Sequence, residues 1–297
     1  MIEEVPSPVN VEEAENPGAF QRPYCPGCGT WVRPGAPNDD HETVMLPARI
    51  WIYTNYDCNF SCSYCLAQSS PKAARRALEP ETFRQVVDEA HEMGFAEMYF
   101  TGGEPMLLPE LPAMLAYASA RFPTVVLSNA SLAHGTRLAR LREVANDAMA
   151  IQVSLDGATA GANDAYRGDG TWKRTLSGIR NLIEAGIRVR ISTTETPANT
   201  HEIEQIRGLV GDLGVGPENH FVRPLIQRGF SDEGLVLDRL TLVPELTVDR
   251  DGVYWHASAT EDDLLVTEEI FPLRAAMDLI AIGFRDSGGE QQARPFR

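Results

Sequence analysis

From Arg49 onward, short apolar runs alternate with amphipathic stretches. ARIWIYTN, AEMYFTGG, TVVLSN, MAIQVSLDG, IRVRISTTE and NHFVRPL read as strands. Between them LEPETFRQVVDEAHEMG, LPELPAMLAYASAR, GTRLARLREVAND, TWKRTLSGIRNLIEAG and HEIEQIRGLVGDLG space their apolar residues as helices do. Strands that are apolar on both faces and separated by helices form a parallel sheet covered on both sides or curled on itself. Six strands with five intervening helices therefore predict an α/β fold, a partial (β/α)6 TIM-like barrel over residues 48–225.

The pattern is different on either side of that core. Residues 1–47 are rich in Pro, Gly and acidic side chains and show no sustained period, so they are expected to be an extension around one local motif, CPGCG. After Leu225 the repeat stops. VLDRLTLVPELTVDRDGVYWHAS reads as one or two extended segments about an Asp251-Gly252 turn, with a helix near EEIFPLRAAMDLIAIGF; residues 226–297 are expected to be a small appendage.

Charge narrows the function classes. Asp and Glu number 42 against 26 Lys and Arg, a formal net charge of -16, which repels phosphate backbones and anionic membranes. Nucleic acid and membrane are not expected partners. No run approaches the ~20 apolar residues of a membrane span, and the opening MIEEVPSPVNVEEAENPGAF is acidic where a signal peptide is basic and then apolar. The expectation is a cytoplasmic protein. The 5 cysteines fall in two tight clusters, Cys25 with Cys28, and Cys58 with Cys62 and Cys65, a pattern of metal or redox chemistry rather than of a secreted disulfide framework.

CNFSCSYC follows the first strand and sets Cys58, Cys62 and Cys65 in C-x-x-x-C-x-x-C spacing, with Tyr64 just before the last cysteine. The second strand ends in FTGGEP, where Gly102, Gly103, Glu104 and Pro105 form a turn open to close backbone approach. Further polar residues fall at the same end of the predicted sheet: Ser128 and Asn129, Ser154 and Asp156, and Thr193, Thr194 and Glu195. Parallel βα barrels build their sites on that rim. Taken singly, each of these Ser, Asn and Asp residues serves a turn or a helix cap as readily as a ligand.

In this order the motifs resemble the radical SAM superfamily, over roughly Ile50 to Leu225. The resemblance implies that three thiolates hold three irons of a 4Fe-4S cluster and leave the fourth iron open for the amino and carboxylate groups of S-adenosylmethionine (SAM). It implies that the GGEP turn meets the SAM amino group, that LSNAS and VSLDG, Ser154 above all, contact its ribose and methionine portions, and that Arg167 pairs a carboxylate or orders its loop. It further implies a reductive opening of the sulfonium, a 5'-deoxyadenosyl radical that removes hydrogen from a substrate, and a low-potential electron donor such as flavodoxin or ferredoxin. The substrate is either a small metabolite or cofactor precursor, or a peptide; the extension before Arg49 is too short and irregular for a folded peptide-recognition domain, which tilts the reading to the small molecule.

Two alternatives stay open at this point. Cys25-x-x-Cys28 and Cys62-x-x-Cys65 could together close a tetrahedral zinc site in a non-catalytic protein, a reading that strands Cys58. Cys25 and Cys28 could also be half of a separate zinc or iron site, with His41 or an acidic residue completing it, or an unmetallated turn. The tail departs from the SPASM-type branch of the superfamily, which carries later cysteines: none follows Cys65, and DGVYWHAS has Ala257 where one is expected. It lacks as well the basic tail of the molybdenum-cofactor enzyme that rearranges GTP. His220, Arg223 and His256 could face a substrate, but a lone histidine is more often a hydrogen-bonded structural residue, and they stand outside the expected site.

Overall fold

The computed structural model describes residues 21–26, 29–31 and 43–289. The predicted alternation is present. Strands β4 (Arg49–Asn55), β5 (Glu97–Gly102), β6 (Thr124–Ser128), β7 (Met149–Ser154), β8 (Val189–Glu195) and β9 (His220–Pro224) lie side by side in chain order, each parallel to the next. Helices α1 (Pro80–Met93), α2 (Leu111–Ser119), α3 (Gly135–Val144), α4 (Ala160–Arg167), α5 (Thr171–Glu184) and α6 (Ile203–Asp212) fill the crossovers. The short helix α4 had no clear signature in the sequence, because AGANDAYR has too few apolar positions to mark a face.

Strand β4 shows how the layers arise. All of RIWIYTN is buried, yet its alternate residues go to different places. Ile50 and Ile52 join the large apolar core under the helices, while Trp51 belongs to a small second cluster with Tyr99, Val125 and Ala150. Helix α1 supplies the other half of the large core through Phe83, Val86, Val87 and Ala90, starts on Pro80 and stops at Gly94, whose φ of 82° is the left-handed conformation that ends helices.

Both flanks differ from expectation in a way that matters for the site. The stretch before Arg49 holds a three-stranded antiparallel sheet, β1 (Gln21–Cys25), β2 (Thr30–Trp31) and β3 (Val44–Pro47), in the order β2-β1-β3. Its strands are 5, 2 and 4 residues long, too short to show a period. After the barrel, β10 (Thr247–Val248), β11 (Val253–Tyr254) and β12 (Leu265–Thr267) extend the main sheet, with β10 parallel to β4 and the other two antiparallel beyond it. The tail thus continues the barrel wall past β4. Helix α7 (Leu273–Asp286) packs against α1 and β3, and begins only after Pro272, later than the apolar run suggested.

Candidate functional site

The sheet encloses a cavity of about 480 Å³, and Cys58, Cys62 and Cys65 all line it, with Gly102, Gly103, Glu104, Ser128, Asn129, Ser154 and Arg167. The cysteines sit on the loop leaving β4 and are half-buried. Backbone amides point at two of the sulfurs: Phe60 N–H donates to Cys58 Sγ at 3.4 Å and Ser69 N–H to Cys65 Sγ at 3.3 Å. Such bonds favour thiolate, whereas burial pushes the Cys58 thiol up to about 12, with the nearby Glu104 charge adding to it. Burial raises Cys62 as well, against the pull of Arg167. A thiol so placed ionises when a metal takes the place of its proton.

The glycines of the GGEP turn have a reason that the sequence reading did not name. A Cβ on Gly102 would lie 2.2 Å from the Asn55 carbonyl oxygen, and one on Gly103 2.1 Å from that of Asp57. The close approach is to the chain that leads into Cys58, and it is sealed by Gly103 N–H to Asn55 O at 2.7 Å and Glu104 N–H to Asp57 O at 2.9 Å. Gly102 also holds φ at 132°, open to glycine. The turn and the cysteine loop are therefore one packed unit.

Glu104 is buried and fully engaged. Its carboxylate accepts Ser128 Oγ–H and the Asn129 amide, both at 2.7 Å, and the Met106 amide at 3.0 Å. Burial raises its pKa, and those donors oppose the rise. Asn129 in turn donates through Nδ2 to Asn59 Oδ1 at 2.9 Å, fixing the residue after Cys58. Ser154 lines the cavity with no side-chain hydrogen bond to another described residue.

A second buried knot holds the other end of the cysteine loop. Arg167 Nη1 donates to Asp156 Oδ2 at 3.1 Å and to the Tyr64 hydroxyl at 2.6 Å, and the Tyr64 hydroxyl donates to Asp156. Asp156 Oδ1 also accepts the Thr194 amide at 2.7 Å. Asp156, Thr194 and Pro105 stand behind the cavity lining: Asp156 bonds Arg167 and Tyr64, Thr194 engages through its backbone, and Pro105 is buried at the start of a short turn. Arg167 orders the loop, and it also lines the cavity.

The tail reaches the loop from outside. Gly229, at φ 64°, lies so close to it that a Cβ would sit 2.3 Å from the Cys65 carbonyl oxygen, and the Phe230 amide donates to that oxygen at 3.1 Å. Farther in, the cavity wall carries Arg49 and Arg190, which the sequence did not mark, beside Arg223 and His256, which stood outside the expected site. Arg49 bonds Glu97 at 3.1 Å and Glu245 at 3.4 Å, and Trp51 Nε1–H donates to Glu245. Arg190, Arg223 and His256 line the same wall. The missed signal was a charged residue at an alternate position of an otherwise apolar strand, as in RIWIY and VRIS. His220, also on the wall, is tied at 2.9 Å to Thr193 Oγ1.

Cys25 does not share this site. It ends β1, where the neighbouring Tyr24 meets Trp31 edge to face, and Trp31 in turn meets Phe95, just before β5, so it lies at the opposite end of the sheet from the loop that leaves β4. Zinc shared between the two C-x-x-C pairs is not supported by that separation. Cys28 lies outside the described residues. Among the described residues no three His, Cys, Asp or Glu side chains are gathered as ligands of a single ion; the three thiols ring one side of the cavity, an arrangement with room for a multinuclear group.

The family model described as the radical SAM superfamily matches residues 52–210, from β4 through α6. The chain belongs to the radical SAM superfamily. This family uses a 4Fe-4S cluster and SAM. Among curated relatives, mycofactocin maturase MftC of Mycobacterium tuberculosis is 32% identical over 163 residues, 54% of this chain and 40% of its own length. An AdoMet-dependent heme synthase of Oleidesulfovibrio alaskensis is 29% identical over 167 residues, 56% of this chain and 42% of its own. The chain thus spans less than half the length of either. Among solved structures, Streptococcus suis SuiB bound to S-adenosylmethionine superposes with a TM-score of 0.56 at 17% identity, over 66% of this chain and 45% of SuiB. Native anSMEcpe with bound AdoMet gives a TM-score of 0.58 at 12% identity, over 76% of this chain and 79% of its own, a likeness of fold.

Proposed function

We propose that this radical SAM protein is an enzyme in which Cys58, Cys62 and Cys65 hold three irons of the cluster, and that SAM lies between the GGEP turn, Ser154 and Arg167. The observation that carries the reading is the convergence of these three thiols on one cavity with the free Ser154 hydroxyl and the glycine turn. When bound, the cluster supplies the electron that opens the SAM sulfonium and sets free the radical that takes hydrogen from the substrate.

The chain's own residues position and shield. Glu104 holds the β5 and β6 turns together and presents its carboxylate edge to the cavity, where a SAM ammonium finds a counter-charge. Asn129 and the Arg167–Asp156–Tyr64 knot hold the two ends of the cysteine loop, so that the spacing of the thiols is set before metal arrives. Gly229 and Phe230 pack on the loop from the far side, with the Phe230 amide bonded to the Cys65 carbonyl oxygen. The substrate is a small molecule or a peptide that enters the same cavity, and the electron comes from a low-potential donor such as flavodoxin or ferredoxin.

The test is anaerobic reconstitution with iron and sulfide, reduction by dithionite, addition of SAM and quantification of 5'-deoxyadenosine, with Cys62→Ala as control. Deoxyadenosine from the wild type alone supports the proposal. One zinc per chain with no cubane would sink it.

A further inference from the structure

Four guanidinium groups line the cavity of a protein whose net charge is -16. Two are answered by carboxylates: Arg49 by Glu97 and Glu245, Arg167 by Asp156. The other two make no salt bridge with a described carboxylate, although the Glu245 charge acts on Arg223. Arg190 donates only to the Tyr99 hydroxyl, at 3.3 Å, and lies 4.5 Å over the Phe221 ring; Arg223 makes no hydrogen bond or ion pair with any described residue. The Nε atoms of both are shut away from solvent without a partner, and so is Ser258 Oγ, which lines the same wall.

A half-buried guanidinium with donors left unbonded gains from an oxyanion, and arginine cannot relieve the need by losing its proton. Burial and the neighbouring arginines draw Arg223 down to about 10, which still leaves it charged at neutral pH. His256 adds a donor: its Nδ1 accepts the Ser258 amide at 3.0 Å, so the neutral ring carries its proton on Nε2. These groups come from β8, β9 and the tail beyond β11, on the strand bodies rather than on the cysteine loop. Trp51, Tyr99 and Phe221 supply apolar faces beside them.

We infer that Arg190 and Arg223, with His256 and Ser258, form a subsite for an oxyanion of the substrate, a carboxylate or a phosphate, next to an apolar or aromatic portion. The inference rests on the reading of the cysteine site as a SAM site, because it makes the arginine wall the substrate's side of the same cavity. Two planar guanidiniums with open edges suit the paired oxygens of such a group. Binding it there gives Arg190, Arg223 and Ser258 the partner that their buried polar atoms lack among the described residues.

The test uses the full chain, reconstituted anaerobically with iron and sulfide and saturated with SAM in the absence of reductant. Calorimetric titration compares N-acetyl-phenylalanine, its neutral analogue N-acetyl-phenylalaninamide, and phenyl phosphate. The wild type is expected to prefer at least one anion over the amide by about tenfold or more, the loss typical of a buried charged hydrogen bond. Which anion is preferred assigns the group. Arg223→Gln is expected to bring the ratio close to one and Arg223→Lys to keep part of it; if Arg223→Gln does not fold, Arg190→Gln carries the same comparison. Equal binding of acid, phosphate and amide by the wild type overturns the inference, as does a preference that survives both glutamine variants. Displacement of SAM by the anions also overturns it, since the arginines would then hold the carboxylate of SAM itself. The change that SAM causes in the cluster's EPR spectrum, scored first in a reduced wild-type sample, reports separately on the SAM site.

Discussion

Gly229→Ala tests whether the tail holds the cysteine loop. Residue 229 has φ 64°, and an alanine there costs about 1–2 kcal/mol in conformation alone. Its Cβ would meet the Cys65 carbonyl oxygen at 2.3 Å and Leu66 Cα at 2.7 Å, both backbone atoms that cannot rotate away. The segment must then lift off, losing the Phe230 amide bond to Cys65 and leaving that carbonyl with fewer partners, about 0.5–1.5 kcal/mol more. The sum is about 1.5–3.5 kcal/mol, a large part of the 5–15 kcal/mol of an ordinary domain. Gly186→Ala is the matched control. Gly186 has φ 76° after α5 but nothing within 4 Å of its would-be Cβ, so it should lose only the conformational part, about 1–2 kcal/mol. Urea unfolding of the metal-free proteins measures the difference, and iron bound per chain after reconstitution reads the loop directly. Equal midpoints and equal iron in the two variants would refute the packing of residues 226–235 on the cysteine loop.

Alanine at Cys58, Cys62 or Cys65 is expected to abolish cluster retention and deoxyadenosine formation, while Cys25→Ala keeps both; iron, sulfide and chromatographic assays check this. Arg167→Met should cost about 3–5 kcal/mol in urea unfolding, because it strands the buried Asp156, whose side chain is 1% exposed; a loss under 1 kcal/mol would contradict the knot. Burial depresses the His256 pKa below its usual 6.5, so the folded chain binds fewer protons than the unfolded one between its folded pKa and 6.5. Stability should therefore fall as pH drops below about 6.5, and His256→Asn, which can still accept the Ser258 amide, should flatten that slope in unfolding curves taken from pH 7.5 to 5.5.

The strands and most helices were legible because their apolar spacing is dictated by burial on the two faces of a parallel sheet. FRQVVDEA places Phe83, Val86, Val87 and Ala90 on one side of α1 and nowhere else to go. The cysteine loop and GGEP were legible because three thiols and two adjacent glycines have few uses in common. What stayed hidden was the reason for the glycines, since the partner of Gly103 is the backbone at Asp57, and no sequence pattern records a contact between two carbonyl-bearing segments. The partners of Asp156 were hidden on similar grounds. Its position at a strand end suits a ligand contact and an ion pair alike, and the approach of Tyr64 and Arg167 is set by the fold alone.

The tail was the least legible part, and it changes the site most. Strand β10 has only 2 residues, but by pairing with β4 it carries Glu245 to Arg49 and Trp51, and the chain beyond β11 carries His256, Ala257 and Ser258 to the cavity. Ala257, noted for the cysteine it lacks, accepts the Tyr53 hydroxyl at 2.8 Å through its carbonyl. A barrel of six strands leaves one side open, and what lines that side is free to differ while the cysteine rim stays the same. In this chain Arg190 on β8 and Arg223 on β9 line the cavity without a salt bridge to any described carboxylate. On the proposed reading, chemistry common to the family sits on the loops after β4 and β5, whereas the choice of substrate falls to residues from β8, β9 and the tail, where the paired-motif logic of the sequence has no purchase and unbonded donors are the feature that selects a ligand.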